Sequence, residues 1–284
     1  MSASSPSAVP SLRGRIGLDA RSGYYPVPHR YRLHLTLSCP RCLRIAVTHS
    51  LLGLDDTLPM TLLPALPDDG AGGYLALRPL YEASAHQYPG PAAAPVLSDS
   101  WSGRIVTTDT TEILTDLARR FPRPGLQPCG RDAAIDAVRQ LCALSIDAPA
   151  QRAGRSDSTP AERATALRSL LDGLAAVEHR LETQEFLLGE ELTLADVELW
   201  VTLVQLDTVH RWHLDAAAVQ SVAGYGRVWA HARRLAGHPA FGRHLDLDGI
   251  ARRHHTLCLG REAAGAAIQI VDWAAHAQGR VHSG

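Results

Sequence analysis

The sequence predicts an α+β N-terminal half followed by an all-helical C-terminal half. Three observations carry that prediction. Leu33, Leu35 and Leu37 alternate with His34 and Thr36, the period-2 pattern of a strand, and a helical apolar face (Leu43, Ile45, Ala46, Val47, Leu51) follows directly. Two short runs, Ala94–Leu97 and Arg104–Thr108, flank a turn over Asp99–Gly103 and read as a β-hairpin that leads into another helix. From about residue 128 onward the apolar spacing is helical only.

Taken in order, residues 1–28 form an irregular extension in which Tyr24 and Tyr25 can pack onto the body. The first strand and helix occupy roughly 30–53, with Gly53 as the helix C′ residue. Thr57–Leu63 is a second strand, weakened by Pro59, which has no N–H to donate. Residues 64–94 are rich in Pro, Gly and Ala and lack periodicity; a structureless stretch of that length inside a domain is often functional. After the hairpin, Asp109 or Thr110 caps a helix carrying Ile113, Leu114 and Leu117, and Phe121–Gly125 ends it. The order β-α-β, then β-β-α, is that of a thioredoxin-like domain.

In the second half, Ile135, Val138, Leu141 and Cys142 share one helical face, and residues 147–158 read as a loop. Thr159-Pro160-Ala161-Glu162 and Thr193-Leu194-Ala195-Asp196 each have the spacing of a box that caps a helix start. Helices are predicted after each, and another over about 225–236 that ends at His238-Pro239. Residues 256–284 form an Ala-rich tail, helical around Ile268–Trp273. The expected organisation is therefore an extension (1–28), a thioredoxin-like thiol-binding domain (29–124), an all-helical substrate domain (128–255) and a C-terminal tail (256–284).

Composition narrows the function classes. The chain has 284 residues, with 45% hydrophobic and 20% charged residues, as expected of an ordinary globular protein of two domains. A net charge of −1 gives no reason to expect a nucleic-acid partner or an anionic membrane surface. All 28 basic residues are Arg, which rules out Schiff-base chemistry by a lysine. The five cysteines are an odd, sparse set, an argument for a reducing compartment, and the cytoplasm is expected. Met1–Arg15 lacks the apolar core of a signal peptide, and no apolar run reaches the length of a spanning helix.

The chemistry centres on Cys39-Pro40-Arg41-Cys42. Pro40 suits the first turn of a helix, so Cys39 falls at the helix N-terminus, where backbone N–H groups and the helix dipole stabilise a thiolate. Arg41 and Arg44 add positive charge. A C-x-x-C pair is also half of a zinc site, but no second ligand pair closes the set; two buried, inert cysteines are the remaining alternative. Placement directly after an apolar strand favours a redox or thiol-transfer site.

Five stretches together resemble the glutathione transferases, and most closely the Xi class of glutathionyl-hydroquinone reductases, with the omega class more distant. Arg30-Tyr31-Arg32-Leu33-His34 stands where the Xi class has Gly-Arg-Tyr-His-Leu-Tyr, and Cys39–Arg44 where it has Cys-Pro-Trp-Ala-His-Arg. Pro95-Val96-Leu97 is similar to its Val-Pro-Val-Leu strand, and Thr107–Ile113 to its Asn-Asn-Glu-Ser-Ser-Glu-Ile. Phe186–Asp196, with Leu206–His210, is similar to the second-domain core. The resemblance spans about 24–255.

It implies that Cys39 is the nucleophile, forming a mixed disulfide with a low-molecular-weight thiol, glutathione or an analogue such as mycothiol. It implies that Asp109 and Thr110 hold the thiol's γ-glutamyl end, and that a cis Pro95 turns the backbone of Ala94 toward the thiol. Arg41 replaces the family's Trp, and Arg44 stands beside it. Cys42 replaces an Ala; it either resolves a mixed disulfide on Cys39 or is a buried helix cysteine. His210 and the pair His254-His255 replace tyrosines that serve the hydroquinone oxygen in the family, so His210, His213 and His254 are the expected substrate-facing residues. A metal site there is disfavoured against solvent-facing or acid/base roles. The partners expected are a small thiol and a small organic substrate, with no metal, nucleic acid or membrane, in a homodimer. Three readings follow: a Cys-dependent thiol transferase or reductase, a transferase that adds a thiol to an electrophile, and a non-catalytic protein that keeps the fold.

Overall fold

Strand β1 (Tyr31–Leu35) buries Tyr31, Leu33 and Leu35 on one side, as the alternation predicts. The computed structural model describes residues 12–121, 125–258 and 269–277. Calls on Met1–Ser11, on the Pro122–Pro124 helix stop and on the first part of the tail, 259–268, lie outside the described residues. The chain divides into two units, Met1–Arg123 and Pro124–Gly284.

In the first unit β1 runs into helix α1 (Pro40–Leu51), then β2 (Met60–Leu62), helix α2 (Arg78–Ser84), β3 (Val96–Asp99), β4 (Arg104–Thr107) and helix α3 (Thr110–Arg120). The sheet order is β2-β1-β3-β4, with β1 parallel to β2 and antiparallel to β3, and β3 antiparallel to β4. This topology has a consequence for chemistry. The C-terminal ends of β1, β2 and β4 and the N-terminal end of β3 all lie at one edge of the sheet. The turn at 36–39, residues 63–65, Ala94-Pro95 and Thr108-Asp109 therefore gather there.

Three local expectations are corrected. The strand stops at Leu35, not Leu37, because the Thr36 hydroxyl donates to the Pro64 carbonyl (2.8 Å) and the Ser38 hydroxyl to the Ala65 carbonyl (2.6 Å), which bends the backbone out of the sheet. The second strand is confined to Met60–Leu62; Pro59 contributes only its carbonyl, which accepts from Leu33 N–H at 3.0 Å. Residues 64–94 are not structureless. They hold a 3₁₀ turn (Leu75–Leu77) and α2, whose buried Tyr81 donates its hydroxyl to the Ala93 carbonyl at 2.7 Å.

The N-terminal extension is packed along the sheet. Arg13 forms an antiparallel bridge with Thr107 on β4, and a Cβ at Gly14 would lie 2.7 Å from the Val106 carbonyl oxygen, so only glycine permits this approach. Tyr24 and Tyr25 meet the body through Arg30, whose guanidinium lies 5.8 and 4.8 Å from their ring centres. Arg30 also stacks on Trp101 at 4.5 Å and pairs with buried Asp99 through Nε at 2.9 Å. Burial opposes the Asp99 charge, but Arg30, the Ser102 hydroxyl and the Trp101 N–H outweigh it and hold the carboxyl below its ordinary range.

The second unit is helical. Helix α4 (Asp132–Gln140) continues through a π-helical turn (Leu141–Asp147) into α5 (Ala148–Ala153), so the loop expected at 147–158 begins only after Ala153. Pro149 is buried just after the π turn, as the second residue of α5. Helix α6 (Pro160–Arg180) begins with the predicted box of Thr159 and Glu162, and its Gly173 lets it approach the π turn, where a Cβ would lie 2.6 Å from the Ser145 carbonyl oxygen.

Helix α7 (Leu194–Thr208) forms the centre. Twelve of its 15 residues are buried, which explains its apolar sequence on every face. Around it stand α8 (Ala216–Ala223), α9 (Gly226–Ala236), α10 (Pro239–Gly242), α11 (Leu247–Cys258) and α12 (Trp273–Ala277). The tail helix thus starts at Trp273 instead of ending there, and the buried carboxylate of Asp207 fixes its entry. That carboxylate accepts from Ile270 N–H (3.3 Å), Val271 N–H (3.0 Å) and the Trp273 indole (2.8 Å).

At the other end of α7, Asp196 is fully buried and accepts from the backbone N–H groups of Leu187 and Thr193, both at 2.9 Å, and from the Thr193 hydroxyl at 3.1 Å. Asp196→Ala leaves two buried backbone N–H groups and the Thr193 hydroxyl without this acceptor, a loss of about 3 kcal/mol on the usual scale for such groups. The melting temperature is expected to fall by about 6–12 °C, read by circular dichroism. A change within about 1 °C of wild type would mean that Asp196 does not brace the helix start.

Candidate thiol site

The site is built from the turn between β1 and α1. Cys39 is the N-cap residue of α1, with an extended backbone (φ −100°, ψ 126°) and Pro40 as the first helical residue. Its N–H donates to the Thr36 carbonyl (3.1 Å) and its carbonyl accepts from Leu43 N–H (2.9 Å), so the backbone at this position is fully committed. The Cys39 side chain makes no cap hydrogen bond and is 5% exposed, whereas Cys42, one turn into α1, is completely buried. Neither is in a disulfide.

The Cys39 and Cys42 sulfurs are hydrogen-bonded to each other. That bond, then burial, push the Cys42 thiol well above its ordinary range; the Thr36 backbone and Arg41 oppose the shift without reversing it. A thiol that keeps its proton is a donor, and its acceptor here is the Cys39 sulfur. The geometry suits Cys39 as the sulfur that carries negative charge and Cys42 as its hydrogen-bond donor.

The Ala94–Pro95 peptide is cis, and both residues are buried at the entry to β3. Asp109 is the N-cap of α3: its Oδ1 accepts from Glu112 N–H at 3.0 Å. Glu112 in turn accepts from the Thr107 hydroxyl at 2.7 Å, and Asp109 N–H donates to the same Thr107 oxygen at 3.1 Å. Thr110 is the first residue of α3.

A cavity of about 380 Å³ opens beside these groups, lined by Leu12, Arg13, Arg41, Tyr88, Thr108, Asp109, Thr110 and Thr111. Arg41, Asp109 and Thr110 are thus brought together. Cys39, Cys42, Arg44, Ala94 and Pro95 are not among its lining residues. Leu12, Arg13 and Tyr88 are residues that the sequence reading did not select. Tyr88 lies in the aperiodic 64–94 stretch, where the only signal was the length of the stretch. Its ring packs on Tyr81 with centres 4.7 Å apart, and burial raises its hydroxyl pKa. It supplies an aromatic wall to a cavity whose neighbouring helix carries Arg41 after Cys39-Pro40.

The histidines form a separate cluster in the helical unit. His210 and His213 lie in a 3₁₀ turn that follows α7, not on a continuing α-helix. His213 Nε2 lies 2.7 Å from Nε2 of buried His254, with the rings edge-on at 5.0 Å. One ring must present an N–H and the other a lone pair. His255 faces solvent. Burial, then repulsion from His213 and His254, lower the pKa of His210 from 6.5 to about 4. Among the described residues, no group of three or more His, Cys, Asp or Glu side chains is placed to hold a metal ion. No described helix is long and apolar enough to cross a membrane.

The His210 shift has a definite sign. With a folded-state pKa below the unfolded value, the unfolded chain takes up the proton first as pH falls. Stability is therefore expected to drop between pH 6.5 and about 4. The urea midpoint, followed by tryptophan fluorescence, should be lower at pH 5 than at pH 7.5, and His210→Gln should reduce that difference. An unchanged pH dependence in His210→Gln would remove His210 as its source.

Comparison with known proteins bears on the fold and the family it resembles. Residues 160–234 match the family described as glutathione S-transferase, C-terminal domain. The chain is 28% identical over 243 residues to glutathionyl-hydroquinone reductase PcpF of Sphingobium chlorophenolicum, covering 79% of this chain and 76% of that protein. It is 26% identical over 274 residues to glutathione S-transferase omega-like 2 of Schizosaccharomyces pombe, covering 87% of each. Its fold superposes on the crystal structure of glutathione S-transferase Xi from Phanerochaete chrysosporium with a TM-score of 0.72 at 25% identity, covering 86% of this chain and 90% of that one. With a small thioredoxin-like sheet ahead of a helical unit and a Cys-Pro turn at the sheet edge, the chain is similar to the glutathione S-transferases, and among them to the Xi and omega classes.

Proposed function

We propose that the protein is a cysteine-dependent thiol transferase that removes or exchanges a low-molecular-weight thiol on a small organic conjugate. The observation that carries this reading is the placement of Cys39 at the start of α1 with the Cys42 thiol as donor to its sulfur. Similarity to a glutathionyl-hydroquinone reductase supports glutathione as the thiol; mycothiol is an alternative carrier of the same chemistry.

The Cys39 thiolate attacks the sulfur of a conjugate, the carbon–sulfur bond breaks, and the released carbon takes up a proton. The product is a mixed disulfide on Cys39. A second thiol then attacks the sulfur of the bound thiol and releases the Cys39 thiolate; alternatively Cys42, after losing its proton, attacks the Cys39 sulfur and expels the bound thiol, leaving a Cys39–Cys42 disulfide that two further thiols reduce. The high pKa of Cys42 suits it to wait as a donor during the first step. Arg41, Arg44, Asp109 and Thr110, with the Ala94-Pro95 backbone, are proposed to hold the thiol, and the His210–His213–His254 cluster the acceptor. Residues 29–124 and 128–255 divide the work as thiol-binding and substrate domains. A homodimer in the cytoplasm completes the proposal.

Intact-mass measurement after incubation of reduced protein with glutathione disulfide, and separately with mycothiol disulfide, tests this reading. A one-thiol adduct is expected in wild type, absent in Cys39→Ser and longer-lived in Cys42→Ala. Full turnover of a glutathionyl conjugate by Cys39→Ser would sink the proposal. A stable thioether product formed by that variant would favour the conjugating transferase instead.

A further inference from the structure

The N-terminal extension places a charged residue in the thiol cavity. Arg13, held beside β4 by its bridge to Thr107 and by the Thr108 N–H bond to the Leu12 carbonyl (3.2 Å), lines the cavity together with Arg41. Its guanidinium contacts both acids at the start of α3. Nη2 lies 3.2 Å from Asp109 Oδ2 and 2.9 Å from Glu112 Oε1, and Nε lies 3.0 Å from the same Glu112 oxygen.

The consequence is an inversion of charge preference. Asp109 is the one acid in the lining, and both its oxygens are occupied: Oδ1 by Glu112 N–H and Oδ2 by Arg13. The Arg13 guanidinium beside this carboxylate repels a ligand ammonium that approaches it. The Arg13 side chain is still 58% exposed, and an arginine has five N–H donors, so donors remain for a ligand anion. Arg13 is shared between Asp109 and Glu112, and Arg41 adds a second guanidinium to the lining, so an anionic group entering the cavity meets two sets of N–H donors.

We propose that Arg13 is a specificity-determining residue that makes the site select the carboxylate of the bound thiol over its ammonium group. The thiol class it takes is an acidic low-molecular-weight thiol for which a free α-amino group is dispensable. This rests on the thiol-transferase reading only for the identity of the cavity as a thiol site.

The test is binding calorimetry on the full chain with S-methyl peptides, which cannot form a mixed disulfide. The probes are S-methylglutathione, its decarboxylated analogue (4-aminobutyryl in place of γ-glutamyl) and its deaminated analogue (glutaryl in place of γ-glutamyl). Loss of the carboxylate is expected to weaken binding about tenfold, the scale of one charge-assisted hydrogen bond, while loss of the amino group changes it less than about threefold. Arg13→Ala should weaken S-methylglutathione by a similar factor and bind it and the decarboxylated analogue equally; Arg13→Lys should retain part of the discrimination. A larger loss on deamination, unaltered discrimination in Arg13→Ala, or no binding of any probe would overturn the proposal. The outcome is separable from the fate of the catalytic reading. Arg13-dependent binding without a Cys39 adduct would sink only the transferase step, and an adduct without an Arg13 effect on binding would sink only this inference.

Discussion

The site depends on two hydroxyls. Thr36 and Ser38 bond across to the carbonyls of Pro64 and Ala65, and so convert the end of β1 into a tight turn attached to the segment that leaves β2. Without those bonds the alternation of Leu33, Leu35 and Leu37 would carry the strand onward, and Cys39 would fall in an extended segment instead of at a helix start. The two hydroxyls belong to buried residues, and the carbonyls supply the acceptors they need there. Because β1 lies between β2 and β3, the turn has support from the 63–65 segment on one side and Ala94-Pro95 on the other.

A second layer of organisation is electrostatic. The start of α3 concentrates Asp109 and Glu112, with Asp116 one turn further on, and the N-terminal extension answers with Arg13 and Arg15 across Gly14. Asp116 is completely buried and accepts from both Arg15 (2.6 Å) and the backbone N–H of Ile16 (2.8 Å). Arg120 returns a bond from the far end of α3 to the Ile16 carbonyl at 3.0 Å. The extension is thus bound at both ends of one helix, and its register against β4 fixes which arginine reaches the cavity. A buried carboxylate with directional partners sets that register more narrowly than apolar contact does.

Much of this was legible in the sequence. The alternation in β1, the two helix-capping boxes and the Cys-Pro turn are local patterns with local causes, and they determined the order of elements. What escaped was decided by distant partners. Leu37 continues the alternation, yet its neighbours' hydroxyls find carbonyls some 27 residues away, and the turn wins. The 64–94 stretch shows no period because its helix is short and held by single bonds such as Tyr81 to Ala93. Arg13 carries no signal of its own. Only the glycine beside it marks a close backbone approach, and the partner strand is over 90 residues away. The same holds for Tyr88, whose place on the cavity wall follows from the path of a loop. The grouping of His210, His213 and His254 was readable in part from the resemblance, whereas the 2.7 Å contact of His213 with His254 needed the fold.

The Asp207 carboxylate has an implication for how the chain is made. It sits at the end of the central helix, where Arg211 pairs with it at 3.0 Å, yet three of its donors lie 63 to 66 residues further along, at Ile270, Val271 and Trp273. During synthesis α7 emerges with only the local arginine to pair this carboxylate, and the other three bonds wait until the last described helix leaves the ribosome. The helical unit therefore completes its interior only after Trp273 is translated, a late, long-range closure that delays folding in the way distant contacts generally do. Proteolytic cleavage before Ile270 would reopen that same carboxylate to water, so a cut outside the central helix would be felt at its end.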